Sequence, residues 1–146
     1  MPAGPAALGF AYFAAAKLAG YTLFCRFAVE PKVLSVGEDR PAPPAWVAGA
    51  VRTLIGVGIG AIVGVGFWKI PWFEKHSSWG LVLFFVFLVP VRVFEWWLLL
   101  RWFYPRHSID RGQYAGLIAG GIVTSFALDA LGVVAAWVLP GGMWVC

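Results

Sequence analysis

The chain has 146 residues, of which 61% are hydrophobic and 12% are charged, with a mean hydropathy of +0.81 and a formal net charge of +4. A soluble domain averages about 45–50% apolar and about 25% charged residues, so this composition excludes an ordinary soluble enzyme, a disordered chain and a disulfide-rich secreted module. It indicates a chain that folds in lipid. Nucleic-acid binding is not indicated, because the sequence has no basic stripe with interleaved aromatic residues.

Four apolar stretches follow one another along the chain, each close to the roughly 20 residues that cross a hydrocarbon core about 30 Å thick. Backbone polar groups in lipid must be satisfied within helices or a closed barrel, and the sequence lacks the strict alternation of a barrel strand. We therefore predict an all-α integral membrane protein with one domain, residues 1–146, folded as a four-transmembrane-helix antiparallel bundle. The predicted helices span residues 6–28, 45–68, 79–104 and 114–139.

The connections between these helices are short, which favours antiparallel neighbours. The first connection, residues 29–44, is rich in proline and charged residues and is predicted to be a polar turn. Basic residues near the first and third connections outnumber those near the second by six to two, which places the first and third connections in the cytoplasm. Both termini are therefore predicted to lie on the outer side of the membrane, which we expect to be a bacterial inner (cell) membrane. The six are Arg26, Lys32, Arg40, Arg101, Arg106 and Arg111, and the two are Lys69 and Lys75.

Five charged residues fall inside the predicted spans: Lys17, Arg52, Arg92, Glu95 and Asp129. A charge at the centre of a bilayer costs about 2.5–3.5 kcal/mol on insertion scales, so such residues usually face the bundle interior and pair with one another. At about 1.5 Å rise per residue, all five reach the same region, between the cytoplasmic half and the midplane. We expect them to form one site.

Helical spacing predicts that these five side chains face inward. Arg52 and Asp129 each lie in a row of small residues spaced four apart, which lets helix backbones approach closely. Arg92 and Glu95 are three residues apart and share one face of their helix, and Lys17 lies on a partly aromatic face. The rows are Arg52, Gly56, Gly60 and Gly64, then Gly121, Ser125 and Asp129, then Leu88, Arg92, Glu95 and Leu99, then Phe13, Lys17, Gly20 and Tyr21.

Two interpretations of these charges remain open. In the first, Glu95 pairs with Arg52 or Arg92 and Asp129 pairs with Lys17 or the remaining arginine, and the network holds the bundle together without a ligand. In the second, three cations face two carboxylates, and the surplus positive charge needs an anion, a deprotonated Lys17, or a side chain that reaches the cytoplasmic surface. Arginine suits a lipid phosphate, a polyprenyl phosphate, a carboxylate-bearing substrate or an inorganic anion, because its planar fork donates two parallel hydrogen bonds.

Three functions are consistent with this pattern. The first is a membrane protein that binds an anionic lipid-like or small anionic ligand at the five charged residues, as a small enzyme or a transporter, with Glu95 and Asp129 as candidate catalytic residues. The second is a structural or accessory subunit of a larger membrane complex. The third is a small oligomeric channel or proton-coupled transporter. The expected partners are membrane lipid with an anionic headgroup, further copies of the chain or other membrane subunits.

No metal site or cofactor is predicted. His76 and His107 lie in connections on opposite sides of the predicted membrane, which argues against a bis-histidine haem or a multi-histidine metal site. Cys25 and Cys146 are also on opposite sides and are not expected to form an intrachain disulfide. The glycines between positions 56 and 66 lack the Lys-Ser/Thr of a nucleotide loop and are attributed to helix packing.

The connection before the fourth helix, residues 105–111, holds a histidine, a hydroxyl and a carboxylate within a few residues. These are too close in sequence for the usual catalytic triad. We expect instead that Ser108 or Asp110 caps the fourth helix, since both residue types are preferred at the N-cap.

Overall fold

A computed structural model of the chain describes residues 7–34, 43–68, 77–104 and 109–136. These residues form four long helices and one short helix, and no strand occurs among them, which confirms the all-α prediction for this part of the chain. We label the helices α1 (Ala7–Phe24), α2 (Glu30–Leu34), α3 (Ala45–Trp68), α4 (Ser77–Phe103) and α5 (Arg111–Ala136).

The first helical segment is longer than predicted. One π-helical turn, Cys25–Val29, joins α1 to α2, and the backbone N–H of Glu30 donates to the carbonyl of Cys25. The predicted polar turn from residue 29 is therefore wrong at its start, because the helical path continues to Leu34. Arg26 stabilises this extension through a 2.9 Å ion pair with Glu30, four residues on. Pro31 lies just after the π-helical turn, and such a local change of helical hydrogen bonding accommodates a residue that has no backbone N–H.

The other helix boundaries lie close to the predicted ones. Helix α3 has the predicted bounds, and α4 begins two residues before the predicted start at residue 79 and ends at Phe103. Helix α5 begins three residues early because Asp110 caps it, with its Oδ2 atom accepting the backbone N–H of Gly112 at 3.0 Å. The cap expected at Asp110 is confirmed. Ser108, and the predicted end of this helix at residue 139, lie outside the described residues.

The four long helices form a ring in the order α1, α3, α4, α5, because α1 and α4 each pack against both α3 and α5. Arg52 of α3 pairs with Glu95 of α4, and Gly56, one turn later on α3, lies near Arg92, about one turn earlier on α4. The two helices are therefore antiparallel.

Helix α5 is antiparallel to α1, because Gly20 lies beside Leu128 and Phe24 beside Gly120. It is also antiparallel to α4, because Arg92 pairs with Asp129 and the carbonyl of Trp97 accepts from Tyr114. The end of α1, the start of α3, the end of α4 and the start of α5 therefore lie at one end of the bundle.

Two glycines fix the closest helix approaches. A Cβ at Gly121 of α5 would overlap the indole ring of Trp96 on α4. A Cβ at Gly49 of α3 would lie 2.9 Å from the backbone nitrogen of Thr22 on α1. Both contacts are closer than a larger side chain permits, so the absence of a side chain here sets the α4–α5 and α1–α3 separations.

The described helices differ in how well they suit a membrane. Residues Arg111–Gly132 of α5 form the one described helix that is long and apolar enough to cross a membrane, and Ala45–Gly60 of α3 is a shorter apolar helix. Residues 86–103 of α4 carry three charged side chains, Arg92, Glu95 and Arg101, which lower its apolar character. A membrane location is thus supported by one helix.

Replacing Gly121 by alanine tests the α4–α5 approach. We expect Gly121→Ala to lower the free energy of unfolding by about 1–3 kcal/mol, the usual cost of an overpacked core, because the new methyl group must displace Trp96. Denaturant titration in mild detergent, followed by circular dichroism, measures this change. Gly116→Ala on the same helix is the control, since nothing lies within 4 Å of its Cβ position. Equal stabilities of the two variants would contradict the close approach.

Candidate functional site: a buried charge cluster

The five charged residues that were predicted to share one region do come together. Lys17 of α1, Arg52 of α3, Arg92 and Glu95 of α4 and Asp129 of α5 are each no more than 2% exposed. We call these five residues the charge cluster. All four long helices contribute to it, so its geometry depends on the rotation and axial position of each helix.

Asp129 joins three helices. Its Oδ1 atom lies 2.8 Å from Nζ of Lys17, and its Oδ2 atom accepts a 2.8 Å hydrogen bond from Nη2 of Arg92. Since each carboxylate oxygen faces a different cation, Asp129 compensates charge from α1 and α4 at once. The expectation that Asp129 pairs with Lys17 or an arginine is confirmed for both partners.

Glu95 forms the second half of the network. Its Oε2 atom accepts hydrogen bonds from Nη2 of Arg52 at 2.6 Å and from Nη1 of Arg92 at 3.3 Å. Arg92 therefore bridges both carboxylates and links the two halves. The internal ion pairs predicted from the sequence are present, and they run without interruption from α1 through α5 and α4 to α3.

An aromatic shell surrounds the arginine end of the cluster. The guanidinium carbon of Arg52 lies 4.8 Å from the ring centroid of Tyr21 and 5.3 Å from that of Trp96, and these two rings are nearly perpendicular. The indole N–H of Trp96 donates to Oγ of Ser125 at 3.0 Å, and Nη2 of Arg52 lies 3.4 Å from the same oxygen. These cation–π and hydrogen-bond contacts hold the Arg52 side chain in one orientation.

The cluster is unbalanced among the described residues. Three cations face two carboxylates, which leaves one positive charge in the interior. Several buried donors also find no hydrogen-bond partner among the described atoms: Nε and Nη1 of Arg52, Nε of Arg92 and the hydroxyl of Tyr21. A buried donor without a partner costs about 1–3 kcal/mol, and more when it is charged. The arginine end of the cluster therefore has the capacity to bind an acceptor that the described residues do not supply.

The predicted inward faces are confirmed by burial. Leu88 and Leu99 are buried together with Arg92 and Glu95, and Phe13 and Tyr21 are buried together with Lys17. In the small-residue rows, Ser125 and the glycines at positions 56 and 121 are also buried, whereas the glycine at position 60 is half-buried. The surroundings of the glycine at position 64 lie outside the described residues.

Two contributors to the site were missed in the sequence. Trp96 was not singled out, although it lies four residues after Arg92 and hence on the same helical face. Tyr21 was placed on the face of Lys17, but its contact with Arg52 of α3 depends on how α1 packs against α3. Helical spacing alone therefore predicts that Trp96 faces the cluster, whereas the contact between Tyr21 and Arg52 depends on the packed structure.

Other candidate residues lie elsewhere. His76, His107 and Cys146 fall outside the described residues, and Cys25 is buried as a free thiol at the start of the π-helical turn. Among the residues that the structure describes, no three His, Cys, Asp or Glu side chains converge as metal ligands would. Glu95 and Asp129, the candidate catalytic residues, are both engaged with cations.

No family model, curated protein or solved structure matches the chain. The functional argument below therefore depends on the geometry and electrostatics of the charge cluster.

The imbalance of the cluster can be tested by removing one charge of each sign. Asp129→Asn leaves three cations with one carboxylate, and we expect it to lower the free energy of unfolding by about 3–5 kcal/mol, as when one partner of a buried pair is lost. Lys17→Met leaves two cations with two carboxylates and should cost clearly less. Denaturant titration of both variants in the same detergent makes the comparison. Equal losses would show that charge balance does not govern the stability of the cluster.

Proposed function

We propose that the chain is a polytopic membrane protein that binds an anionic ligand at the charge cluster. The observation that carries the proposal is the unbalanced positive charge at Lys17, Arg52 and Arg92, together with the unpartnered guanidinium N–H groups of Arg52. An anion seated against these groups would neutralise the charge and satisfy the donors at the same time.

The distribution of side chains supports a membrane setting. Large apolar side chains face outward, including Leu54, Phe27 and Ile62, which are 70%, 74% and 75% exposed, whereas the cluster charges face inward. A soluble protein rarely exposes this much apolar surface, but lipid is an apolar solvent in which such an arrangement is favourable. On α5, 33% of the apolar segment is buried, which leaves most of it to face the surrounding medium.

One end of the bundle carries exposed basic residues and tryptophans that indicate how the chain is oriented across the membrane. Arg26, Lys32, Arg101 and Arg111 are exposed and lie at the same end of the helix ring. Trp46 and Trp102 also lie there, exposed by 63% and 62%. Basic residues favour the cytoplasmic side and tryptophan favours the membrane interface. We infer four spans in the cell membrane, with this end in the cytoplasm and both termini outside.

Electrostatics favours an anion as the ligand. Net charge in a medium of low dielectric constant is costly, so the surplus positive charge of the cluster attracts a negative partner strongly. Arginine N–H groups form short, charge-assisted hydrogen bonds with carboxylate and phosphate oxygens. In this proposal Arg52 and Arg92 contact the ligand, Lys17 supplies the third positive charge, and Glu95 and Asp129 orient the cations. Either a small membrane enzyme or a transporter could use such a site, with Glu95 and Asp129 as proton acceptors.

A second candidate function is an accessory subunit of a larger membrane complex. Its support is that the ion pairs link all four long helices without any ligand. Further copies of the chain or other subunits would then cover the outward apolar faces. We rank this candidate second because it supplies no acceptor for the N–H groups of Arg52. A small oligomeric channel or proton-coupled transporter would use the same charges as its path, and liposome flux tests that third candidate.

Native mass spectrometry of the purified protein in mild detergent tests the first proposal. We expect the wild-type chain to carry one discrete adduct, released on activation and identified by its mass as an anionic lipid-like molecule or a small anion. Arg52→Gln should reduce the occupied fraction at least tenfold, because it removes the donors that the ligand would contact. Lys17→Met should reduce it as well, because it removes the surplus charge without touching Arg52.

Arg101→Gln is the matched control, since it makes the same change of charge at an exposed position on α4. Circular dichroism and size-exclusion chromatography establish that each variant is folded. An adduct retained equally by all three variants, or a wild-type chain carrying only exchangeable bulk lipid, would contradict anion binding at the cluster and favour the accessory subunit.

A further inference from the structure

An apolar groove lies on the outward face of α4, away from the charge cluster. It has a volume of about 650 Å³ and is open to the surrounding medium. This volume is within the range of about 300–1,000 Å³ that is usual for ligand sites. Its lining consists of hydrophobic residues of α4 alone: Val89, Pro90, Val93, Phe94 and Trp97. We call it the α4 groove.

The α4 groove follows the axis of its helix. Its residues recur at intervals of three and four, so they share one face over two turns. Val89 and Trp97 are eight residues apart, which corresponds to about 12 Å along the helix. The rings of Phe94 and Trp97 stack with centroids 6.0 Å apart, and the hydroxyl of Tyr114 on α5 donates to the carbonyl of Trp97 at 3.2 Å. The shape of the groove suits a hydrocarbon chain laid along the helix.

A cation lies at one end of the groove. Arg101 follows Trp97 by one turn, and its guanidinium carbon lies 5.4 Å from the centroid of the Trp97 rings. Arg101 is exposed, and none of the ion pairs among the described residues includes it. A guanidinium held over an aromatic ring still donates its N–H groups to a phosphate. Arg101 is therefore placed to bind an anion at the end of an apolar surface.

The groove and Arg101 together match the depth of one leaflet. Val89 lies at the middle of α4 (Ser77–Phe103), and Arg101 lies near the end that we place in the cytoplasm. The twelve residues between them correspond to about 18 Å, close to half of a hydrocarbon core about 30 Å thick. Trp102 is exposed beside Arg101, as is typical of the membrane interface. This arrangement is complementary to a molecule with an apolar chain and a negative head.

We propose that the α4 groove binds one anionic phospholipid of the cytoplasmic leaflet, with an acyl chain along the groove and its phosphate against Arg101. A zwitterionic lipid carries its own cation beside the phosphate, so Arg101 favours the anionic lipid. The site goes beyond the proposed function, because it shares no residue with the charge cluster. It rests on the proposed membrane setting and not on the ligand of the cluster.

Native mass spectrometry with added lipid tests the α4 groove. Purified protein in mild detergent, which keeps any adduct of the charge cluster, is titrated with phosphatidylglycerol or with phosphatidylcholine that has the same acyl chains. Because the groove is open, its lipid exchanges with detergent and is measured as additional binding.

Two variants change the groove, and each has a matched control. Arg101→Gln removes the cation, and Lys32→Gln removes one positive charge from an exposed position at the same end of the bundle. Val93→Phe places a larger side chain in the groove, and Val123→Phe makes the same change at an exposed position on α5. All four positions are exposed, so each variant should fold, which circular dichroism establishes.

We expect the wild-type chain and both controls to bind one phosphatidylglycerol about tenfold more tightly than phosphatidylcholine, since a charge-assisted hydrogen bond contributes about this factor. Arg101→Gln should bind the two lipids equally. It leaves the charge cluster in place, so it should retain the adduct of the cluster. Val93→Phe should weaken the binding of both lipids, because its ring occupies the place of the acyl chain.

Three results would overturn the inference. If the wild-type chain binds both lipids equally, the groove contacts only bulk lipid. If Val93→Phe binds phosphatidylglycerol as tightly as Val123→Phe does, the acyl chain lies elsewhere. If the preference is lost in Arg52→Gln but persists in Arg101→Gln, the charge cluster binds the lipid, and the proposed function stands without the groove. A purified chain that carries no adduct, but whose lipid preference depends on Arg101, would support the groove and contradict the proposed function.

Discussion

Charge compensation in an apolar interior constrains the whole bundle. Each carboxylate of the charge cluster reaches a cation on another helix, and Asp129 reaches Lys17 and Arg92 at 2.8 Å each. Because these contacts join side chains from α1, α4 and α5, a shift of any one helix by a single turn, about 5.4 Å, would break them. The ion pairs therefore fix the register of helices whose outward faces are apolar and offer little other specificity.

Much of this arrangement could be predicted from spacing. Residues three and four apart share a helical face, so the burial of Arg92 and Glu95 beside Leu88 and Leu99 followed from the sequence. The start of α5 could be predicted from Asp110, because aspartate is preferred at the N-cap. The path beyond residue 28 was not foreseen, because proline and charged residues are typical of turns. Here the Arg26–Glu30 pair and the π-helical turn before Pro31 allow the helical path to continue instead.

The choice of partners within the cluster could not be predicted. Spacing shows that Arg92 faces inward, but its bridging of Glu95 and Asp129 depends on the axial offset between α4 and α5. At that same offset Gly121 contacts Trp96, and a backbone surface accommodates the indole ring. The same ring then donates to Ser125 and lies against Arg52. One glycine–tryptophan contact thus connects helix packing to the orientation of an arginine.

This orientation bears on binding. An arginine free to rotate would satisfy its donors by reaching the surface, as long basic side chains commonly do. Tyr21, Trp96 and Glu95 together hold Arg52 inside, with its Nη1 atom beside Gly56. For the proposed anion, such preorganisation would lower the entropy lost on binding, and the unpartnered donors raise the free energy of the folded chain. The cost to stability and the proposed affinity for an anion then have the same origin, the third cation in a cluster that two carboxylates cannot balance.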